Sequence, residues 1–438
     1  MKKILFVSFA LMIVVSAFAQ KKQIDDTKYR RSSLHLILLT TDDPILKEEE
    51  VMQSWSHYPF PDKYNEHSIN LRTFPAGKPG VSFFEFAKKV ASGEGDLLPT
   101  TLAGLKKMKE DTDGKAYIAA LKTKVEDKIT EEKLAHQLLE KWFGIQPNGK
   151  TDWSLIQERG CYNATETDAS MAFLTTRGSA MLADAGAELI SNTFVSFCKL
   201  DFYENEPIAK FYLILAEAIS KFIPGGDAAV SAAQIAYEAT KNGYSARTLA
   251  LLYKLDWNDS IRAEFMNCYN GEIFDYQKFQ SLPFRLAFVG SDVSTSTAIN
   301  PFGASKELNE SKLIDLTVVR NIDKLFTKMQ SKYEVFRPKF AVLTNPPLTA
   351  EFGMKEGLKG GEQFEILMPV WNEKTLKLEY KRQGIVKVDK KQIWDNRYNA
   401  GETPEKPQID KKTGEPIRST LLTKSKVAAP GMLLRLIK

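Results

Sequence analysis

Apolar and polar positions divide the 438-residue chain into three regimes. Ile4 to Ala17 is apolar except for Ser8 and Ser16. From Tyr29 to Tyr333, continuous apolar runs alternate with apolar positions at helical spacing. Ser32-Ser33-Leu34-His35-Leu36-Ile37-Leu38-Leu39 closes on an unbroken apolar run and predicts a buried strand. Asp42-Asp43-Pro44 predicts a helix start, because proline suits the first helical turn. Trp55 to His67, polar and aromatic with two prolines, reads as a loop, and Asn70 to Phe74 as a second short strand. Over 82–143 the pattern is helical: Ile118, Leu121, Val125, Ile129, Leu134, Leu138 and Trp142 form one apolar stripe of a helix pair, with Thr130 as the N-cap between them.

Further along, the spacing predicts a helix over 166–187 and a strand over 192–197. Helices follow over 208–222 and 228–239, then strands over 248–257 and 284–289. Ser291 to Thr297, rich in Ser and Thr after Gly290, reads as a loop. Asn309 to Tyr333 is the clearest helix, with Leu313, Leu316, Val319 or Ile322, Leu325 or Phe326, and Met329 on one wide face. After Pro346-Pro347 the chain changes to short alternating runs and glycine turns at Gly357, Gly360 and Gly361. Leu376, Leu378 and Tyr380 alternate with charged residues, so one strand face is buried. Short strands at regular spacing in about 90 residues predict a small closed barrel or sandwich. The expected fold class is therefore α+β, a helix-rich mixed α/β region followed by a small C-terminal β-barrel. The expected divisions are 1–19, 20–160 (N-terminal strand plus helical region), 161–345 (α/β region) and 346–438 (small basic barrel).

The first regime is a targeting signal. Lys2 and Lys3 precede the apolar run, and Ala17-Phe18-Ala19 ahead of Gln20 is a small-residue cleavage site. The run is too short for a typical membrane-spanning helix, which needs about 20 apolar residues. No cysteine follows it to accept a lipid. The expected address is the periplasm, the outer membrane surface or the medium, with no span in the mature chain. Composition adds one asymmetry. Residues 331–438 carry 21 Lys+Arg against 13 Asp+Glu, net +8, whereas residues 20–330 carry 37 against 42, net −5. A basic C-terminal part can face envelope proteins or an anionic envelope polymer. Nothing in the composition points to nucleic acid. Cys161, Cys198 and Cys268 allow at most one internal bridge, and Cys198 reads as a buried small hydrophobe.

Candidate chemistry changes the picture little. Gly144-Ile145-Gln146-Pro147-Asn148-Gly149-Lys150-Thr151 fits the phosphate-loop pattern. Such a loop must follow a buried strand and open a helix, and here a helix precedes it. Gly144 as a helix C-cap and Pro147-Asn148-Gly149 as a turn explain the same residues. His57, Asp62, Glu66 and His67 carry metal-ligating groups within eleven residues, but their spacing fits no single helical face. There is no G-x-S-x-G, and His35 and His136 sit in a predicted strand and a predicted helix. Trp55, Trp257, Trp371 and Trp394 are candidates for stacking on sugars or for the core. No catalytic, cofactor-binding or metal residue is assigned.

Several segments resemble a known group. Arg159-Gly160-Cys161-Tyr162-Asn163-Ala164, Asp184 to Ile190, Asn192-Thr193-Phe194-Val195, Leu252 to Asn258 and Ile393-Trp394-Asp395-Asn396-Arg397-Tyr398 are similar to segments of a family of uncharacterised exported proteins of Bacteroidota. The resemblance spans residues 29 to 438 and implies no activity. Glu356 to Ile366 and Gly384 to Val388 are similar to the C-terminal barrel of flagellar-assembly and curli-assembly envelope proteins, from which the chain departs by its long helical insertions. The resulting expectation is an exported, non-catalytic envelope or periplasmic binding or assembly factor. The competing classes are a carboxylate-dependent hydrolase of envelope or dietary glycans and a metal-dependent hydrolase at His57 and His67. The export reading has a direct consequence. Intact mass and N-terminal sequencing of the protein expressed in a Gram-negative cell should show a product that begins at Gln20 outside the cytosol; a cytosolic product retaining Met1 would overturn it.

Overall fold

The computed structural model describes residues 32–437, apart from 43–44, 58–63, 67–68, 70, 78–82, 94–103, 105–114, 157–187, 272, 302–304, 373–376, 398–407 and 411–413. The targeting segment expected over 1–19 and the helix expected over 166–187 lie outside the described residues. The chain is α+β, built on two six-stranded sheets.

The first half begins with β1 (Ser33–Thr40), α1 (Glu48–His57), β2 (Asn65–Glu66) and β3 (Thr73–Pro75). Then come α2 (Phe83–Ala91), α3 (Lys115–Glu131), α4 (Leu134–Phe143) and β4 (Thr193–Glu204). A helical pair, α5 (Asn205–Ser220) and α6 (Asp227–Thr240), leads to β5 (Gly243–Leu255). After α7 (Asp259–Met266), β6 (Tyr269–Asn270), β7 (Ile273–Phe274) and α8 (Tyr276–Ser281), the chain forms β8 (Leu286–Ile299) and the long α9 (Glu310–Lys332). The first sheet runs β2-β1-β4-β5-β8, with β3 also paired to β1. β2, β3 and β4 all run parallel to β1, in a register that sets Leu34 beside Phe194 and Leu38 beside Cys198. β5 returns antiparallel to β4, and β8 antiparallel to β5.

β4 and β5 are buried on both faces, as strands covered by helices on either side must be. One face carries Val195, Phe197, Leu251 and Tyr253 and packs under α3 and α4, whose stripe Leu121, Val125, Ile129, Leu134, Leu138 and Trp142 is the one expected from the sequence. The opposite face carries Phe194, Cys198, Leu252 and Ala250 and packs under α9, through Leu316, Ile322, Leu325 and Met329. Trp142 Nε1 donates to Thr193 Oγ1 at 3.0 Å, tying α4 to the start of β4.

Three local expectations are corrected. Trp55 belongs to α1, where it packs beside the core under α9 instead of lying in a loop. Thr130 is inside α3, its hydroxyl donating to Glu126 O at 2.9 Å, and the break before α4 falls at Lys133 in a left-handed conformation. Ser291 to Thr297 is the middle of β8. Two of its hydroxyls are consumed by the neighbouring helix: Ser294 Oγ donates to Asn321 O at 2.9 Å and Ser296 Oγ to Thr317 O at 2.6 Å. Lysines of α9 bind main-chain carbonyls of the same strand, Lys324 to Thr295 O, Lys328 to Val293 O and Lys332 to Ser291 O, at 2.7–3.0 Å. An edge strand left with bare carbonyls is an aggregation hazard, and this lysine ladder covers it.

The second sheet is formed by β9 (Lys339–Thr344), β10 (Thr349–Ala350), β11 (Gln363–Asn372), β12 (Lys377–Lys387), β13 (Thr420–Leu421) and β14 (Leu433–Leu436). Its order is β12-β11-β14-β9-β10-β13, and its described pairings are antiparallel. Phe340, Phe352, Phe364, Ile366 and Leu434 form its own core. The sheet begins at Lys339, so Pro346 and Pro347 lie in the turn between β9 and β10. Among the described residues the ladders do not close into a barrel. β10 and β13 are two residues long, and β13 and β12 are linked by one isolated bridge beyond their ends, Val388 with Leu422. The two sheets meet at Glu188, which pairs with Lys339 Nζ at 3.2 Å and accepts from Tyr380 OH at 2.7 Å.

Asn321 makes the first sheet testable. Fully buried, it donates to Ala246 O and accepts from Ser294 Oγ, both at 2.8 Å. Asn321→Ala strands buried polar groups and should lower unfolding stability in urea by about 1–3 kcal/mol, whereas Lys324→Ala at the exposed edge should cost less.

Candidate functional site

The residues singled out by sequence are dispersed. Gly144 ends α4 at φ 55°, with its amide donating to Glu140 O. Within the loop that follows, Gln146 N–H donates to Lys150 O and Gly149 N–H to Gln146 O, both at 2.9 Å. At Gly149, φ is 80° and an added β-carbon would lie 2.6 Å from the Phe274 carbonyl oxygen. The segment is a helix cap and a turn packed on β7, and two of its amides are already used within the turn. His57 is exposed in the last turn of α1, with Nδ1 2.8 Å from Gln53 O. Asp62 and His67 lie outside the described residues. Among the described residues no group of three or more His, Cys, Asp and Glu is placed to hold a metal ion.

The aromatic and thiol candidates separate in the same way. Trp55 packs on the α9 side of the first sheet, Trp257 on the opposite side, and Trp371 and Trp394 belong to the second half. Cys198 and Cys268 are buried free thiols, and burial pushes the Cys198 thiol up to about 11. Cys161 lies outside the described residues. The cleft between Arg337, Phe340, Phe364 and Leu436 encloses ≈ 20 Å³, which is room for about one water molecule.

Tertiary structure creates two groupings of charge instead. The first is a basic seam on the second sheet. Beyond β12 the chain continues beside β13: Thr423 N–H donates to Lys387 O at 2.8 Å and Asp389 N–H to Leu421 O at 2.9 Å. Lys387 N–H donates to Thr423 Oγ1 at 3.0 Å. Lys381, Lys387, Lys390 and Lys391, on and just past β12, and Lys424 and Lys426, on the segment that pairs with its end, are all exposed. None of the six forms an ion pair among the described residues. Ile385 and Val427, 47% and 46% exposed, belong to the same two segments. Lys387 and Thr423, 36 residues apart in the chain, thus become neighbours, and exposed lysines flank both in sequence.

The second grouping is buried in the first sheet. Lys199 and Asp201 follow each other on one face of β4, and Arg247 lies beside Asp201 on β5. Their exposures are 3%, 6% and 6%. Lys199 Nζ binds Asp201 Oδ1 and sits 5.8 Å from the Tyr117 ring centroid. Arg247 Nη1 is 3.7 Å from Asp201 Oδ2. β1 ends one residue past the partner of Lys199, so the trio marks the carboxyl edge of the parallel strands. Nearby, Lys124 on α3 donates to Ala76 O at 2.8 Å, just beyond β3. Sequence reasoning passed over all three residues of the trio. The available signal was charge inside apolar strands, in Cys198-Lys199-Leu200-Asp201 and Ser245-Ala246-Arg247-Thr248.

A third feature is the α5–α6 pair, inserted between adjacent strands. α6 has no buried residue, and Tyr212, Phe222, Ile223 and Ile235 are exposed. No helix among the described residues is long and apolar enough to cross a membrane. No protein-family model matches the chain, and no curated protein matches it.

His35 and His136 are both buried. His35 Nε2 lies 2.7 Å from Leu71 O. His136 is wedged against Phe279 and Phe284, ring centroids 5.2 Å away in each case. Burial, aided by Lys133, lowers the His136 pKa, so the folded protein holds it neutral. The unfolded chain takes up a proton near pH 6.5 and the native one only at lower pH. His136 therefore stabilises the fold above about pH 6.5, and that contribution is lost as pH falls below it. Urea titrations at several pH values should show a smaller loss of stability on acidification in His136→Phe than in the wild type.

Proposed function

We propose that the protein is an exported, non-catalytic binding or assembly factor of the cell envelope, and that its C-terminal sheet docks on an anionic envelope polymer. The observation that carries this reading is the basic seam. Six exposed lysines from two paired segments have no ionic partner among the described residues, and the same segments expose Ile385 and Val427. Unpaired cations beside exposed apolar side chains suit a partner that offers both negative charge and apolar surface. In this reading the sheet is a small barrel, its edges drawn together by the Val388–Leu422 bridge and the hydrogen bonds around it, and the seam is where it closes. The targeting pattern at residues 2–19 supplies the address at which such a polymer is met.

Long-range attraction of this kind is screened by salt, with a Debye length of about 8 Å at physiological ionic strength. Each lysine near an anionic surface is worth about 1 kcal/mol. Replacing Lys387, Lys390, Lys424 and Lys426 together by Gln should therefore reduce retention on immobilised envelope extract by more than about tenfold at low salt. It should also flatten the salt dependence of whatever binding is left. Retention and salt dependence equal to those of the wild type would exclude the seam as the docking surface.

A further inference from the structure

We propose that Lys199 and Arg247 form a binding site for one small oxyanion, a carboxylate or phosphate group, at the carboxyl edge of the parallel strands. Two cations and one carboxylate are buried together, and the carboxylate is used mainly by Lys199, which binds one of its oxygens. Among the described residues the Arg247 side chain makes no hydrogen bond, and its one ionic contact there is Asp201 Oδ2 at 3.7 Å, beyond hydrogen-bonding distance. A guanidinium carries five N–H donors in a rigid fork. An interior charge left without partners is costly, and native proteins pair such charges. The trio leaves one positive charge without an anion of its own, and the Arg247 side chain is 8% exposed, so a narrow opening to solvent remains.

Position strengthens the case. In open α/β sheets ligands bind outside the carboxyl ends of the strands, at the point where connections leave in opposite directions. β1 is such a strand here, with β2 and β3 on one side and β4 on the other. Lys199 lies opposite Leu39, the penultimate residue of β1, and Asp201 lies past the end of that strand. The ring of Tyr117, at the start of α3, stands over Lys199, and Lys124 two turns further along α3 reaches the end of β3. The cations therefore gather over one edge of the sheet, on the face covered by α3. A carboxylate or phosphate group seated there would accept two parallel hydrogen bonds from Arg247 and neutralise the excess charge.

The test is thermal unfolding of the mature chain in sodium phosphate or sodium acetate, against sodium chloride at matched ionic strength. A ligand that binds only the native state raises the midpoint in a saturable way. Phosphate also stabilises folded proteins by exclusion, but that effect does not saturate and is shared by every variant. The expected result is a saturable rise in at least one of the two anions. It should be weakened by about tenfold or more in apparent affinity in Arg247→Lys, which keeps the charge and loses the fork. It should be absent in Arg247→Met and retained when the seam lysines are replaced by Gln. A phosphate-only response identifies a tetrahedral group, and an acetate-only response a planar one. No saturable rise in the wild type, or an equal one in Arg247→Met, overturns the proposal. If Arg247→Met fails to fold, Arg247→Lys decides, and an unchanged titration there overturns it as well.

Discussion

Burial of β4 and β5 on both faces is the constraint from which the rest of this structure follows. Two adjacent strands of twelve and thirteen residues with almost no exposed positions require apolar cover from both sides. α3 and α4 supply it on one side and α9 on the other. The backbone polar groups between these layers are satisfied by the ladders to β1 and β8. Where the ladder ends, at the outer edge of β8, side chains of α9 take over the pairing. One helix thus covers a sheet face and protects a sheet edge, because its apolar residues and its lysines occupy different stripes.

The same burial explains why charge inside these strands deserves a chemical reading. Lys199, Asp201 and Arg247 sit where β4 and β5 run past the end of β1, so they belong to the strands by backbone and to the sheet's carboxyl edge by position. An apolar residue at any of the three positions would serve packing alone. The basic seam has a different origin. It follows from the way short strands return to one another at the edge of a small sheet, which sets Lys387 beside Thr423 and carries the flanking lysines with them. One grouping is interior and small, the other is a surface strip, and they take different kinds of partner.

Much of the element pattern was legible. The stripe from Leu121 to Trp142, the strand at Ser33–Thr40 and the helix over Glu310–Lys332 are long or strongly periodic, and local spacing suffices for them. Failures came where a polar residue had a partner far along the chain. Ser294 and Ser296 read as loop residues because their hydroxyls are satisfied by Asn321 and Thr317. Trp55 lies in a locally polar and aromatic stretch, whereas the core it packs beside, under α9, is built from residues far along the chain. The helix break moved from Thr130 to Lys133, since a threonine hydroxyl inside a helix can bond the carbonyl four residues back.

Sequence alone determined the α+β class, most of the buried strands and helices, and the excess of positive charge after residue 330. These properties are carried by composition and by periodicities of two and 3.6 residues, which are local. Tertiary structure decided which strands pair, that the second sheet begins at Lys339, and which charged residues become neighbours. Arg247 meets Asp201, and Lys387 meets Thr423, through pairings between segments 46 and 36 residues apart. Register across such distances is set by packing of the whole sheet, and no window of sequence contains it.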